Sequence, residues 1–266
     1  MRKILASVLR RRVPPFAIVS LPRCGSTALF RALSLGSMVR IEYEPDFGDS
    51  WSDRARLEEA CSALFSRASG IKHVWDPNGW PFTNKSHQST LETLARSEEW
   101  IEVNASVLEC TRKVVFLRRR NQLARVVSDL LGQQTDLWGH DPSGPRSENE
   151  AAEYRAQLSL RSLERLDEQV IDWYLRNALA WEDRIVARIP EHRRLTVHYE
   201  DLFGADVDLD ARLARVSGIA DWLGIGLRVR DERVRAVLQP SSKLNAAGSY
   251  ERIPNLAQIV ARFGPI

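Results

Sequence analysis

A short apolar run followed by a tight turn and a helical pattern most constrains the fold of this chain. The run Phe16–Leu21 follows two prolines and carries no charge, as is typical of a strand buried on both faces of a parallel sheet. Residues 22–27 read Pro-Arg-Cys-Gly-Ser-Thr, a composition typical of a turn. Residues 27–36 then place their leucine and phenylalanine side chains on one helical face. The opening therefore predicts strand, tight loop and helix.

The same alternation continues along the chain. We predict further strands at 39–43, 71–75, 113–117 and 195–199, helices at 52–68, 88–99, 121–132, 149–188 (with up to one break) and 208–223, loops at 139–147 and 240–250, and a short terminal helix. Strands alternating with helices predict an α/β fold, with three layers (α/β/α) around a central parallel sheet. We expect a single domain over 1–266, with a basic N-terminal segment at 1–14 and a helical insertion or cap at 149–190.

The charge balance limits the classes of partner. The chain has 38 Lys plus Arg against 35 Asp plus Glu, a net charge of +3. That small excess argues against a broad nucleic-acid-binding face, which needs a basic stripe. A local pocket for an anion is still compatible with it.

The cysteines and the apolar segments bear on location. Cys24, Cys61 and Cys110 are far apart, odd in number and lack metal-type spacing, and the histidines are scattered. We therefore expect a reduced, cytoplasmic protein without a metal site. The apolar run near the N-terminus is too short for a secretory core, and no segment approaches the length of a membrane span. We expect no integral membrane contact, whereas a peripheral contact through the basic segment is left open.

The loop after the first strand has the features of an anion site. Gly25 lets the backbone approach a ligand closely, and the following helix offers unpaired N–H groups at its positive end. Ser26 and Thr27 add hydroxyl donors, and Arg23 adds a forked donor suited to phosphate or sulfate oxygens. Because the arginine precedes the glycine, this is not the Gly-x-x-x-x-Gly-Lys loop of ATPases and kinases. A plain strand–helix turn with a Ser or Thr cap is the alternative.

A second basic element follows the strand at 113–117. Three arginines, Arg118–Arg120, stand between that strand and the next helix. Arg120 and Ser128 are eight residues apart, so both can reach one phosphate if Arg120 lies in the loop before the helix. A solvated basic turn is the alternative. Contact with nucleic acid is a further alternative, although no set of stacking aromatic residues accompanies the arginines.

Together these two elements resemble the sulfotransferase superfamily that uses 3′-phosphoadenosine 5′-phosphosulfate (PAPS). In that family a strand–loop–helix near the N-terminus holds the 5′-phosphosulfate, and a later Arg and Ser, eight residues apart, hold the 3′-phosphate. Within it, the chain is similar to the bacterial carbohydrate sulfotransferases of the trehalose 2-sulfotransferase type. The further matches are Gln134-Thr135 followed by Trp138, Lys72 with Trp75, and Glu44-Pro45. Cys24 stands where the family usually has a serine.

The resemblance implies a P-loop-like fold and transfer of a sulfuryl group from PAPS, without a metal, to a hydroxyl of a sugar, glycolipid or natural product. The residues it assigns to donor binding are Arg23, Cys24, Gly25, Ser26, Thr27, Arg120, Ser128 and Lys243. It implies Lys72 as the stabiliser of the leaving charge and Glu44 as the base. His73 is the rival base, but strand alternation puts Lys72 and His73 on opposite faces of the sheet.

Three questions stay open at this stage. A nucleotide kinase or NTPase with a variant loop would need a Mg²⁺-binding aspartate, for which Asp76 is the one candidate. An anion- or RNA-binding module would use Arg118–Arg120 and would not need Glu44 or Lys72. The stretch 149–188 suits either a homodimer surface or an intramolecular cap.

We interpret His198–Leu202 as structural, and Trp75 and Trp138 as core residues or stacking surfaces for adenine or a sugar.

Overall fold

The computed structural model describes residues 13–47, 50, 53–75, 97–135, 148–239 and 250–266. Its centre is one five-stranded sheet with the strand order β2-β3-β1-β4-β5, in which every neighbouring pair is parallel. The strands are β1 (Phe16–Ser20), β2 (Ile41–Tyr43), β3 (Gly70–Val74), β4 (Lys113–Arg118) and β5 (Arg194–His198). The predicted α/β fold with a parallel sheet is confirmed.

Helices pack as two groups. The α-helices of the described residues are α1 (Ser26–Gly36), α2 (Arg54–Arg67), α3 (Ser97–Glu109), α4 (Gln122–Thr135), α5 (Glu148–Leu160), α6 (Glu168–Arg188), α7 (Tyr199–Phe203), α8 (Leu209–Leu223), α9 (Glu232–Leu238) and α10 (Leu256–Phe263). Helix α1 contacts α8 and α9, whereas α2, α3, α6 and α4 contact one another in that order. The two groups cover opposite faces of the sheet, consistent with three layers.

Strand β1 lies at the centre of the core. All five of its residues are fully buried, as expected for a strand covered by helices on both faces. Phe16 pairs in register with Gly70 of β3, and a Cβ atom at Gly70 would lie 2.3 Å from the Phe16 ring. Glycine is therefore needed at this position for the aromatic ring to lie across β3.

The winding of the sheet reverses at β1. The chain leaves β1 towards β2 on one side, whereas the connections that leave β3 and β4 run in the opposite direction. In parallel sheets a crevice opens beyond the carboxyl ends of the strands at such a point, and ligands bind there. The segments that follow β1, β3 and β4 are therefore the place to look for a site.

Most of the predicted elements are present, with ends shifted by a few residues. The stretch 149–188 contains two helices, α5 and α6, because Asp167 begins α6 with its own cap by accepting a hydrogen bond from the amide of Gln169, 2.8 Å away. The helix expected at 88–99 falls mostly outside the described residues, and the structure has a helix at Ser97–Glu109 that was not predicted. The segments 1–12, 136–147 and 240–249 also lie outside the described part of the chain.

No helix in the described part of the chain is long and apolar enough to cross a membrane.

Candidate functional site

The loop after β1 has an unusual backbone. Arg23 and Gly25 both have a positive φ, 65° and 84° respectively. The carbonyl of Gly25 accepts the first hydrogen bonds of α1, from the amides of Ala28 and Leu29 at 3.1 and 3.2 Å. A Cβ atom at Gly25 would lie 2.9 Å from the Tyr199 ring. Both the conformation and the close approach of Tyr199 therefore require glycine here.

The start of α1 suits an anion. Its first turn contains no acidic residue, and the first amides of a helix have no partner within it. Ser20 at the end of β1 donates a hydrogen bond to the hydroxyl of Ser26 at 2.9 Å. A hydroxyl is both a donor and an acceptor, so this contact leaves Ser26 with further hydrogen-bonding capacity. Thr27 follows at the next position of the helix.

The side chain of Cys24 is turned into the protein interior. It is 2% exposed, and its Sγ atom lies 3.9 Å from the carbonyl oxygen of Pro22. Burial raises the pKa of the Cys24 thiol to about 12, so the sulfur is a neutral packing group. Any contact of Cys24 with a nucleotide would involve its backbone.

Arg23 joins the first loop to the second basic element. Its Nε atom donates a hydrogen bond to the Ser128 hydroxyl in α4 at 3.0 Å. The Arg119 guanidinium lies 3.5 Å from the carbonyl oxygen of Arg23. Strand β4, which leads into this region, is the direct neighbour of β1. The structure therefore brings the two predicted anion-binding elements into contact.

Arg120 is held differently from the expectation. Both ends of its guanidinium donate to the Asp201 carboxylate, each at 2.8 Å, while Ser128 is bonded to Arg23. Donation by Arg120 lowers the pKa of Asp201. The pair is exposed, with 52% of the Arg120 side chain and 43% of the Asp201 side chain accessible. Exposed pairs of this kind contribute little to stability, so a phosphate can compete for Arg120.

The segment after β5 has a larger part in the site than its structural interpretation suggested. Glu200 accepts hydrogen bonds from the backbone amides of Arg120 and Asn121, at 2.9 and 3.1 Å, and so fixes the start of α4. The Tyr199 ring lies between Gly25 and the Arg119 guanidinium, whose central carbon is 4.7 Å from the ring centroid. The signal in the sequence was an aromatic residue and two carboxylates directly after a strand of the same sheet.

Glu44 and Lys72 form an ion pair at the same edge of the sheet. The Lys72 ammonium donates to Oε1 of Glu44, and the amide of Glu44 donates to the carbonyl of Lys72 at 2.8 Å. Lys72 is 2% exposed at its side chain and Glu44 is 42% exposed. Burial lowers the pKa of Lys72, although the charge of Glu44 opposes the shift. An acceptor molecule can therefore reach the carboxylate but not the ammonium from solvent.

His73 lies on the other face of β3, as strand alternation predicts. Its Nε2 atom is 2.8 Å from Oδ1 of Asn104 in α3, and the side chain is 4% exposed. Burial lowers the pKa of His73. Because it is enclosed on the α3 side, His73 does not share the space around Glu44 and Lys72.

Backbone strain coincides with the candidate residues. Within the described ranges, only Arg23 and Glu44 combine a positive φ with a side chain, at 65° and 43°. Such conformations cost about 1–3 kcal/mol each and collect at functional sites. Arg23 was singled out from the sequence for its chemistry, and Glu44 for its position and the family resemblance.

The remaining candidates have mixed outcomes. Trp75 is 1% exposed and packs against Trp100 and Phe116, so it belongs to the core. Asp76, Trp138 and Lys243 lie outside the described residues. Within the part that the structure describes, no group of three or more His, Cys, Asp or Glu side chains is arranged to hold a metal ion.

No protein-family model matches this chain, and a search of curated proteins finds no match.

Proposed function

We propose that this chain is a cytoplasmic, PAPS-dependent sulfotransferase with a P-loop-like fold, which transfers a sulfuryl group to a hydroxyl of a carbohydrate, glycolipid or other small acceptor. The observation that carries the proposal is the hydrogen bond of 3.0 Å between Arg23 and Ser128. It brings together two elements that are 105 residues apart in the chain, each suited to one anionic end of the donor.

In the proposed reaction the helix start holds the 5′-phosphosulfate. Arg23, Ser26 and Thr27 donate to its oxygens, together with the backbone amides at the start of α1. Arg120 exchanges Asp201 for the 3′-phosphate, and Ser128 is the proposed second donor to that phosphate. Charge stabilisation and positioning dominate the catalysis of such transfers, as they do for phosphoryl groups.

Glu44 is the proposed base. It takes the proton from the acceptor hydroxyl, whose oxygen forms a bond to sulfur. The bond from sulfur to the bridging oxygen breaks, and its electron pair stays on the 5′-phosphate of 3′-phosphoadenosine 5′-phosphate. Lys72, which is paired with Glu44, is the residue proposed to stabilise the negative charge of the leaving phosphate.

The first test is a calorimetric titration without metal. 3′-Phosphoadenosine 5′-phosphate is compared with adenosine 5′-phosphate on the wild type and on Arg23→Ala and Arg120→Ala. We expect micromolar binding that requires the 3′-phosphate and a loss of about 10-fold or more in each variant, as for the removal of a charge-assisted contact.

Arg184→Ala is the matched control. Arg184 also forms an exposed two-point pair with a carboxylate, at 2.7 and 2.6 Å from Glu98, but on the α3–α6 surface. This variant should bind as the wild type does. Equal affinity for the two nucleotides in the wild type would overturn the proposal. A requirement for Mg²⁺ with ATP would then favour a nucleotide kinase or NTPase, and salt-sensitive RNA binding would favour a nucleic-acid module.

A further inference from the structure

Tyr43 lies between the two halves of the proposed active site. It is the last residue of β2 and pairs in register with Lys72, whose ammonium lies 4.1 Å from the centroid of the tyrosine ring. On the helix side, the ring meets Phe30 edge-on, with 5.2 Å between the centroids. Thr27 is one helical turn before Phe30 and so lies on the same face of α1. The ring is thus enclosed by α1, by Lys72 and by the neighbouring Glu44.

The phenol oxygen of Tyr43 is buried and forms no hydrogen bond of normal length and angle with a described residue, although the side chains of Thr27 and Glu44 lie close enough to interact with it. Buried polar groups are nearly always paired, since an unpaired one forfeits its hydrogen bonds to water without compensation. A buried donor without a well-formed hydrogen bond, next to the proposed site of sulfuryl transfer, has a functional explanation, because preorganised donors aimed at developing charge stabilise a transition state.

The electrostatic surroundings keep this group a donor. Burial, followed by the nearby Glu44 carboxylate, raises the pKa of Tyr43 to about 12, while the Thr27 hydroxyl acts in the opposite direction. The phenol therefore retains its proton at neutral pH. The same interactions place it close to both Thr27, at the donor end, and Glu44, at the acceptor end.

We propose that the Tyr43 hydroxyl donates a hydrogen bond to a sulfuryl oxygen of the donor and keeps this bond as the group passes to the acceptor. This inference rests on the proposed function and adds a catalytic residue that the sequence did not indicate. Tyr43 neither gains nor loses a proton: the proton of the acceptor goes to Glu44, and the bridging oxygen leaves with its electron pair. The hydrogen bond only offsets charge on the sulfuryl oxygens.

A double comparison tests this inference without knowledge of the acceptor. PAPS carries the sulfuryl group and 3′-phosphoadenosine 5′-phosphate lacks it, so the ratio of their dissociation constants isolates contacts to that group. In Tyr43→Phe we expect unchanged affinity for 3′-phosphoadenosine 5′-phosphate and roughly tenfold weaker affinity for PAPS, as for loss of one donor to a charged acceptor. The ring under Lys72 is retained, so the variant should fold.

Tyr174→Phe is the control, because Tyr174 is a buried tyrosine in α6 beside Trp173. Its ratio should equal that of the wild type. An unchanged ratio of the two dissociation constants in Tyr43→Phe would overturn this inference but not the proposed function. An equal loss of affinity for both nucleotides would also overturn it, because it would mean that Tyr43 has a structural role. Absence of a 3′-phosphate requirement in the wild type would instead overturn the proposed function, and this inference with it.

Discussion

Arg125 and Arg212 are two buried arginines with opposite surroundings. Arg212 is 1% exposed and donates to three backbone carbonyls, those of Val207, Leu238 and Gly204, at 2.9–3.0 Å. Arg125 is fully buried and donates from Nε to Gln122 at 2.7 Å, but both of its terminal nitrogens lack a partner within the described chain. The Arg212 guanidinium is fully bonded to the backbone, whereas that of Arg125 has two nitrogens without a hydrogen bond and only a longer-range attraction to the buried Glu182 carboxylate.

This contrast predicts opposite effects of the same substitution. Arg125→Met should raise the free energy of unfolding by about 1–3 kcal/mol, because an apolar side chain of similar length removes a buried guanidinium with two unbonded nitrogens, while Glu182 keeps Arg118 as its partner at 2.7 Å. Arg212→Met should lower it by about 3 kcal/mol, because three carbonyls lose their donor. Urea denaturation of both variants measures the two effects. A loss of stability in Arg125→Met as large as that in Arg212→Met would contradict the prediction.

Individual site residues were predictable to different degrees. Strand alternation was enough to separate Lys72 from His73, because the two faces of a strand are fixed by its periodicity. Arg120 was assigned to a phosphate, but its partner in the free protein, Asp201, is 81 residues away. Nothing local to Arg120 indicates that pair, since it depends on how β4 and β5 align in the sheet.

At the scale of elements, helices with a mixed pattern were missed. Helix α3 buries residues on several sides, among them Ile101, Val103, Ala105 and Ser106, so it has no single apolar stripe to detect. Helices α7 and α9 have only five and seven residues, too few for a periodic signal. Strands β1 and β4 were the clearest in the sequence, because continuous apolar runs are typical of a buried parallel sheet.

The junction of β1 and α1 predicts a strict requirement at Gly25. Gly25→Ala should cost about 1–2 kcal/mol for the positive φ, besides the clash with Tyr199 and Phe203, and should weaken binding of 3′-phosphoadenosine 5′-phosphate by distorting the loop. The readouts are the urea midpoint and calorimetric affinity.

Gly218→Ala is the control for that substitution. Gly218 lies inside α8, and no atom would lie within 4 Å of an added Cβ. Since alanine is the better helix former, this variant should gain up to about 1 kcal/mol of stability and bind normally. Wild-type stability and affinity in Gly25→Ala would show that the loop tolerates a side chain.

At the scale of the whole molecule, the C-terminal segment forms hydrogen bonds with two distant parts of the chain. Asn255 accepts a hydrogen bond from the amide of Leu166 at 3.0 Å and donates to its carbonyl at 2.9 Å, so it fastens the link between α5 and α6. Further along, the carbonyl of Pro265 accepts a hydrogen bond of 3.2 Å from the side chain of Asn121, the residue directly after Arg120. The chain end thus connects the helical segment 148–188 to the candidate site.

Asn255→Ala should therefore destabilise the protein by about 2–4 kcal/mol, because both polar groups of the buried Leu166 backbone lose their partner. Asn177→Ala is the control. It removes one hydrogen bond of 2.9 Å from the Asn177 side chain to the Trp173 carbonyl, within an α-helix whose backbone groups are already paired. This variant should lose less than about 1 kcal/mol of stability. Thermal unfolding of the two variants gives the comparison. Equal melting temperatures would contradict the role assigned to Asn255.

The pair between Arg120 and Asp201 has a consequence for selectivity. The Asp201 carboxylate accepts from the Arg120 guanidinium at two points, as a phosphate would, and so occupies the donors that a phosphate would use. Any solute that uses Arg120 first has to displace this carboxylate, which is covalently part of the chain and therefore always nearby. A singly charged anion gains little by that exchange, whereas a dianionic phosphate offers more charge and a third oxygen. In the proposed donor site, we therefore expect the salt bridge to favour dianionic phosphates over singly charged anions.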